Sequence, residues 1–119
     1  MAIKLVSMMD LQPTDLLRED SFSFMISLPP DKINSLGPPF VLDSGDRLLI
    51  AEGNHRVAAL FGKGKKILYV DYKNIDEVKE VYSFFSEEVL RRQEEMLRRG
   101  IISPEDLLVE YLLRPTRFL

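Results

Sequence analysis

The chain has 119 residues, 45% of them apolar and 29% charged, with a formal net charge of −3 and no cysteine. One domain with a single core suits that length, while the missing thiols exclude a disulfide framework, a thiolate zinc site and a cysteine nucleophile. The acidic balance weighs against a dedicated DNA-binding protein, whose affinity rests on phosphate neutralisation by a basic face.

The N-terminal stretch holds one lysine and soon meets Asp10 and Pro13, so it does not read as a signal peptide. No run approaches the roughly 18 apolar residues of a spanning helix. The expectation is a complete, cytoplasmic chain with no membrane partner. Ile3 to Met9 reads as an opening strand, and Asp10 to Asp15 as a turn interrupted by Pro13. Leu16 to Ile33 is ambiguous, since Phe22 and Phe24 alternate as in a strand and Pro29-Pro30 breaks the run. A short helix from Pro30 to about Leu36 follows, with proline in its first turn. Phe40–Leu42 and Arg47–Ala51 flank Asp43-Ser44-Gly45-Asp46, turn chemistry that predicts a β-hairpin.

Beyond Glu52-Gly53, residues Asn54 to Phe61 have helical spacing, with Val57, Ala58, Leu60 and Phe61 to one side and Gly62 and Gly64 at the end. Lys66 to Tyr72 is a β-branched and aromatic strand. Val78, Val81, Tyr82, Phe85, Val89 and Leu90 then predict one amphipathic helix from Asp76 to about Arg99, closed by Gly100. Ser103-Pro104-Glu105-Asp106 opens a final helix: serine at the cap, proline at the first position, acids facing the dipole. The expected fold class is α+β, with a small mixed sheet in residues 1–73 and a helical tail, 74–119, packed on the same domain as a hairpin. Phe84 and Phe85 cannot both face one core, which raises a homodimer through the tail as the alternative use of these helices.

The informative stretch is Ile50 to Arg56, where an apolar strand enters a glycine turn and then a helix. The first amides of a helix have no intrahelical partner and bind anions. Gly53 permits close backbone approach to a ligand, and Arg56 offers a two-point grip on phosphate. The plainer alternative is a turn glycine followed by a surface histidine. With one histidine and no carboxylate cluster at ligand spacing, no metal site is expected.

The order of strand, Glu52-Gly53-Asn54-His55-Arg56, Ala58-Ala59, glycine connector and strand resembles the ParB/sulfiredoxin-like superfamily. ParB members carry a Gly-Glu-Arg-Arg box there, sulfiredoxins a Gly-Gly-Cys-His-Arg box, and the ADP-dependent free serine kinases an Asp-Gly-His-His-Arg box, the nearest of the three. The resemblance covers about residues 3–73 and includes the proline-containing strand, the glycine turn and Leu11 to Leu16 as the kinase-like opening loop. It implies nucleotide binding by Gly53, Asn54, His55 and Arg56, with ATP, ADP or CTP and Mg²⁺ as cofactors. It also implies catalysis by Asp15 and Glu52, as a phosphotransferase to a small acceptor or a nucleotide hydrolase. In that chemistry Asp15 accepts a proton from the incoming hydroxyl, and Glu52 holds magnesium through water or merely caps a turn. A lone loop carboxylate is otherwise solvated and inert.

The departures from the family set limits. Asn54 stands where sulfiredoxin has its essential cysteine, so that reductase chemistry does not carry over. His55 replaces the second arginine of the ParB box and no helix-turn-helix follows residue 73, so DNA is a weakly supported partner. The serine substrate does not carry over either. The alternative function is a ParB-like nucleotide-responsive module that binds DNA or protein without catalysis. Arg18 and Glu19, after the first loop where the superfamily often places a ligand-facing polar residue, and the cluster Lys63, Lys65 and Lys66, whose alternative role is contact with phosphate or nucleic acid, read first as solvated surface.

Overall fold

The computed structural model describes residues 2–114; Met1 and residues 115–119, which the sequence reading included in its tail segment 74–119, lie outside the described residues. The fold is α+β. Five strands, β1 (Ile3–Ser7), β2 (Leu11–Gln12), β3 (Phe40–Asp43), β4 (Leu48–Glu52) and β5 (Ile67–Asn74), form one mixed sheet in the order β1-β5-β3-β4-β2. β3 runs antiparallel to β4 and parallel to β5, and β2 pairs parallel with β4. The opening strand is shorter than expected: it stops at Ser7, and a 3₁₀ turn, Met8–Asp10, carries the chain to β2 on the opposite edge. Four Cα steps from Ser7 to Leu11 reach at most about 15 Å. The edges of a flat five-stranded sheet lie about 19 Å apart, so the sheet must curl to let the chain cross.

Side chains on β3 and β4 alternate between two covered faces, which explains why β4 reads as a nearly continuous apolar run. On one face, Val41, Ile50, Leu68 and Val70 pack with Val57 and Leu60 of α3 (Asn54–Gly62), Phe22 of α1 (Glu19–Ser27), and Leu107 and Tyr111 of α6 (Pro104–Leu112). Phe22 meets Tyr111 edge-on, with ring centroids 4.7 Å apart. On the other face, Leu42, Leu49 and Ala51 are covered by Ile75 and Val78 of α4 (Ile75–Val81) and Val89 of α5 (Ser83–Arg98). Met96 near the end of α5 and Ile101 after it belong to the first core, so the tail contacts both sides of the sheet. A short α2 (Pro30–Asn34) starts at its proline.

Among the helices, the structure resolves one segment the sequence left open and departs from the sequence reading in another. The ambiguous segment after Leu16 is helical: Phe22 is buried, whereas Phe24 stands out in solvent, and Glu19 and Asp20 occupy the first turn where the helix dipole favours acids. The single helix expected over 76–99 is broken at Tyr82, which leaves helical geometry at φ −133°, ψ 68°. The break lets α4 cover Leu42 and Leu49 while α5 turns to stack Phe85 on Phe40, with centroids 6.2 Å apart and planes 11° from parallel. Phe84 is left exposed. Among the described residues no helix is long and apolar enough to cross a membrane.

Candidate functional site

β4 delivers Glu52 to the edge of a cleft, and Gly53 turns the chain into α3. Gly53 adopts φ +109°, a left-handed conformation, as the residue that caps α3 without a side chain. A Cβ there would sit 2.8 Å from Pro39 Cβ and 3.0 Å from a terminal nitrogen of Arg56. Glycine is therefore required by both backbone and space. The first amides of α3, at Asn54, His55 and Arg56, receive no side-chain cap and have no intrahelical acceptor.

The first loop is fastened to this turn by buried polar bonds. The amide of Thr14 donates to Asn54 Oδ1 at 3.0 Å, Asn54 Nδ2 donates to Thr14 Oγ1 at 3.2 Å, and that hydroxyl donates to the carbonyl of Ile50. Asn54 is buried, and its side chain is a staple; only its backbone faces the role expected of it. His55 makes the second fastening, its Nε2 accepting the amide of Arg18 at 2.9 Å. An accepting Nε2 places the proton of the neutral ring on Nδ1. Burial, and then the charge of Arg18, holds the imidazole below its ordinary pKa, against the opposing pull of Asp15 and Asp20. His55 is thus a neutral donor through Nδ1, and a positioning group for the loop.

Arg56 is mostly buried, ion-paired to Glu52 one turn back and donating to the carbonyl of Leu36 at 2.9 Å. Its Nε is buried without a partner among the described residues. That orphaned donor lies 3.3 Å from where a Gly53 Cβ would be, beside the α3 N-terminus. Glu52 is exposed apart from this pair. Asp15 accepts the amide of Leu16 at 2.9 Å through Oδ1.

These residues share one cleft of about 500 Å³, lined among others by Asp15, Arg18, Glu52, Gly53, His55 and Arg56, with Asn54 in its wall and Arg92 reaching in from α5. All six site residues expected from sequence, Asp15, Glu52, Gly53, Asn54, His55 and Arg56, come together here. Two further arginines line the cleft. Arg18 read as surface, although its place directly after the first loop was a usable signal. Arg92 is distant in sequence and carried no signal beyond its place in an Arg-Arg pair. Among the described residues no group of three histidines, cysteines or carboxylates is placed to hold a metal ion. A second groove, about 630 Å³, runs past Ile3, Leu5, Pro38, Pro39 and Tyr69; its lining is chiefly apolar, and Lys65 and Arg56 are the charged groups on it.

No family model matches the chain, and no curated protein matches it. Among solved structures, protein Atu1540 from Agrobacterium tumefaciens is similar at 17% identity with a TM-score of 0.47, over 87% of this chain and 50% of that one. The chain therefore spans half the length of that protein.

Proposed function

We propose that this chain is a ParB/sulfiredoxin-like nucleotide-binding domain whose cleft holds the terminal phosphate of a nucleotide, with phosphotransfer or nucleotide hydrolysis as its chemistry. The observation that carries the reading is the uncapped N-terminus of α3 opening into a cleft lined by three arginines, with the orphaned Nε of Arg56 beside it. Helix amides, the dipole and guanidinium groups are the usual phosphate holders. In this reading the amides of Asn54 and His55 take phosphate oxygens, and His55 Nδ1–H adds a neutral donor. Arg56 acts through the position that Glu52 and the Leu36 carbonyl impose on it. Asp15, whose second oxygen has no protein donor among the described residues, accepts the proton of an incoming hydroxyl or water.

Magnesium would find Asp15 or Glu52 on this chain and otherwise phosphate and water oxygens, which are its ordinary ligands. Since Glu52 is engaged by Arg56, no step is assigned to the ion.

A thermal-shift titration with ATP, ADP, CTP and GTP, each with and without Mg²⁺, tests the site on the unmodified chain and on His55→Ala. A ligand that binds only the folded state raises the melting temperature. One nucleotide should raise it in the unmodified chain and not in the variant; no shift with any nucleotide overturns the reading. Turnover lost in Asp15→Asn with binding retained assigns catalysis.

The second reading, a nucleotide-responsive module, is favoured by Arg92, because a tail helix that lines the cleft senses its occupant. The exposed Val81, Tyr82 and Phe84 on the same tail offer the surface for a partner or a second copy. Light scattering separates the two: a nucleotide-dependent change of mass that survives in Asp15→Asn belongs to the module.

A further inference from the structure

We infer that Arg18 and Arg92 form a second anion-binding position in this cleft, apart from the α3 N-terminus, and that they hold the second phosphate of its ligand; the inference rests on the phosphate-site reading above. The two guanidiniums come from separate elements, the start of α1 and the middle of α5, and both line the cleft that holds the α3 N-terminus. They differ from Arg56 in having no carboxylate to themselves. Arg56 has Glu52 and the Leu36 carbonyl. Arg18 reaches only a neutral hydroxyl, Ser21 Oγ, at 3.4 Å, and among the described residues no carboxylate pairs with it.

Arg92 shares its carboxylate. Glu88 is gripped by Arg91 through both Nε and a terminal nitrogen, and gives Arg92 one contact, Nε to Oε1 at 3.2 Å. One negative charge thus answers two positive ones, and among the described residues the terminal nitrogens of Arg92 make no hydrogen bond to a carboxylate. Hydrogen bonding from Arg91, followed by that from Arg92, holds the Glu88 carboxyl down at about 2, so it stays ionised and keeps Arg92 aimed at any physiological pH.

The charge pattern supports a multiply charged ligand. The cleft lining carries three arginines against Asp15 and Glu52, and Glu88 outside it is divided between Arg91 and Arg92, which leaves a positive excess on a chain whose net charge is −3. Its volume of about 500 Å³ lies within the span of small-molecule sites, well beyond what one phosphate fills. Guanidinium forks with free terminal donors suit phosphate oxygens better than point charges do.

The test uses inorganic phosphate and pyrophosphate as probes in calorimetric titrations at low salt, on the whole chain and on Arg92→Gln, Arg18→Gln, His55→Ala and Arg98→Gln. Arg98 lies on the same helix and pairs with Glu95, outside the cleft. The unmodified chain should bind pyrophosphate about tenfold more tightly than phosphate. Arg92→Gln and Arg18→Gln should each weaken pyrophosphate about tenfold, the worth of one charged hydrogen bond. Phosphate should change by less than about threefold in these two variants, Arg98→Gln should change neither probe, and His55→Ala should weaken both.

Equal affinity for the two probes, or pyrophosphate binding unchanged in Arg92→Gln, overturns the inference and leaves the phosphate site standing. Loss of pyrophosphate binding in Arg98→Gln to the same degree also overturns it, as general surface attraction. Binding of neither probe by the unmodified chain sinks the phosphate-site reading and this inference together. Arg92 is partly exposed on α5, and equal melting temperatures without ligand confirm that the variant is folded; Arg92→Lys, which keeps charge without the fork, should fall between the two.

Discussion

Replacing Gly53 with alanine tests the turn on which the site depends. The residue sits at φ +109°, where a Cβ costs about 1–2 kcal/mol in backbone strain alone. The added methyl also falls 2.8 Å from Pro39 Cβ and 3.0 Å from the Arg56 guanidinium. Forcing a methyl into filled space costs a further 1–3 kcal/mol or so, giving about 2–5 kcal/mol in total. Gly45 provides the control: its φ is +94°, and nothing lies within 4 Å of a Cβ built there. Gly45→Ala should therefore show the strain without the collision, about 1–2 kcal/mol. Urea denaturation with a shared slope reads both variants, and at roughly 4 °C per kcal/mol for a chain of this size the melting points should differ by several degrees. If Gly53→Ala costs no more than Gly45→Ala, the collision does not exist and the geometry assigned to the cleft is wrong.

Asn54→Ala should cost about 1–3 kcal/mol, because it leaves the buried Thr14 amide without an acceptor; a double-mutant cycle with Thr14→Val should show coupling of about 0.5–3 kcal/mol, and additivity would refute the staple. His55 is held below its usual pKa, so between about pH 6.5 and its folded value the unfolded chain binds more protons. Stability should fall as pH drops through that window and level off beneath it, and His55→Gln, which still accepts the Arg18 amide, should remove this component from urea curves recorded between pH 5 and 7.5. Leu107→Ala in α6 should cost about 2–5 kcal/mol in a single transition that coincides by far-ultraviolet circular dichroism and tyrosine fluorescence. Two separated transitions would show the tail to be an independent unit.

Much of the fold was legible where local chemistry and tertiary packing agree. The Asp43–Asp46 turn joins the expected hairpin, and Ser103 caps α6, its Oγ accepting the Asp106 amide at 3.2 Å. Elsewhere the deciding force was not local. The pair β2 is two residues long and exists only because β4 lies beside it. The break at Tyr82 follows from Phe85 finding Phe40, a partner no periodicity reveals. Phe22 and Phe24 mimic strand alternation, yet Phe22 belongs with Met25 and Ile26 against the core, a helical set. At the cleft, the box residues were identifiable as a group because they are contiguous. What their side chains do was not: Asn54 turned inward to Thr14, and Arg56 to Glu52 and Leu36. Arg92 needed the path of α5, which depends on that same break.

The most direct test of the central claim is a ¹⁵N–¹H correlation spectrum of the labelled chain titrated with ADP or, if the thermal screen selects another, with that nucleotide. The account predicts saturable shifts largest at the amides of Asn54, His55 and Arg56, with the side-chain Nε of Arg18 and Arg92 moving in step. Shifts centred on Ile3, Leu5 and Tyr69 in the apolar groove, or no saturable shift at the α3 amides, would contradict it.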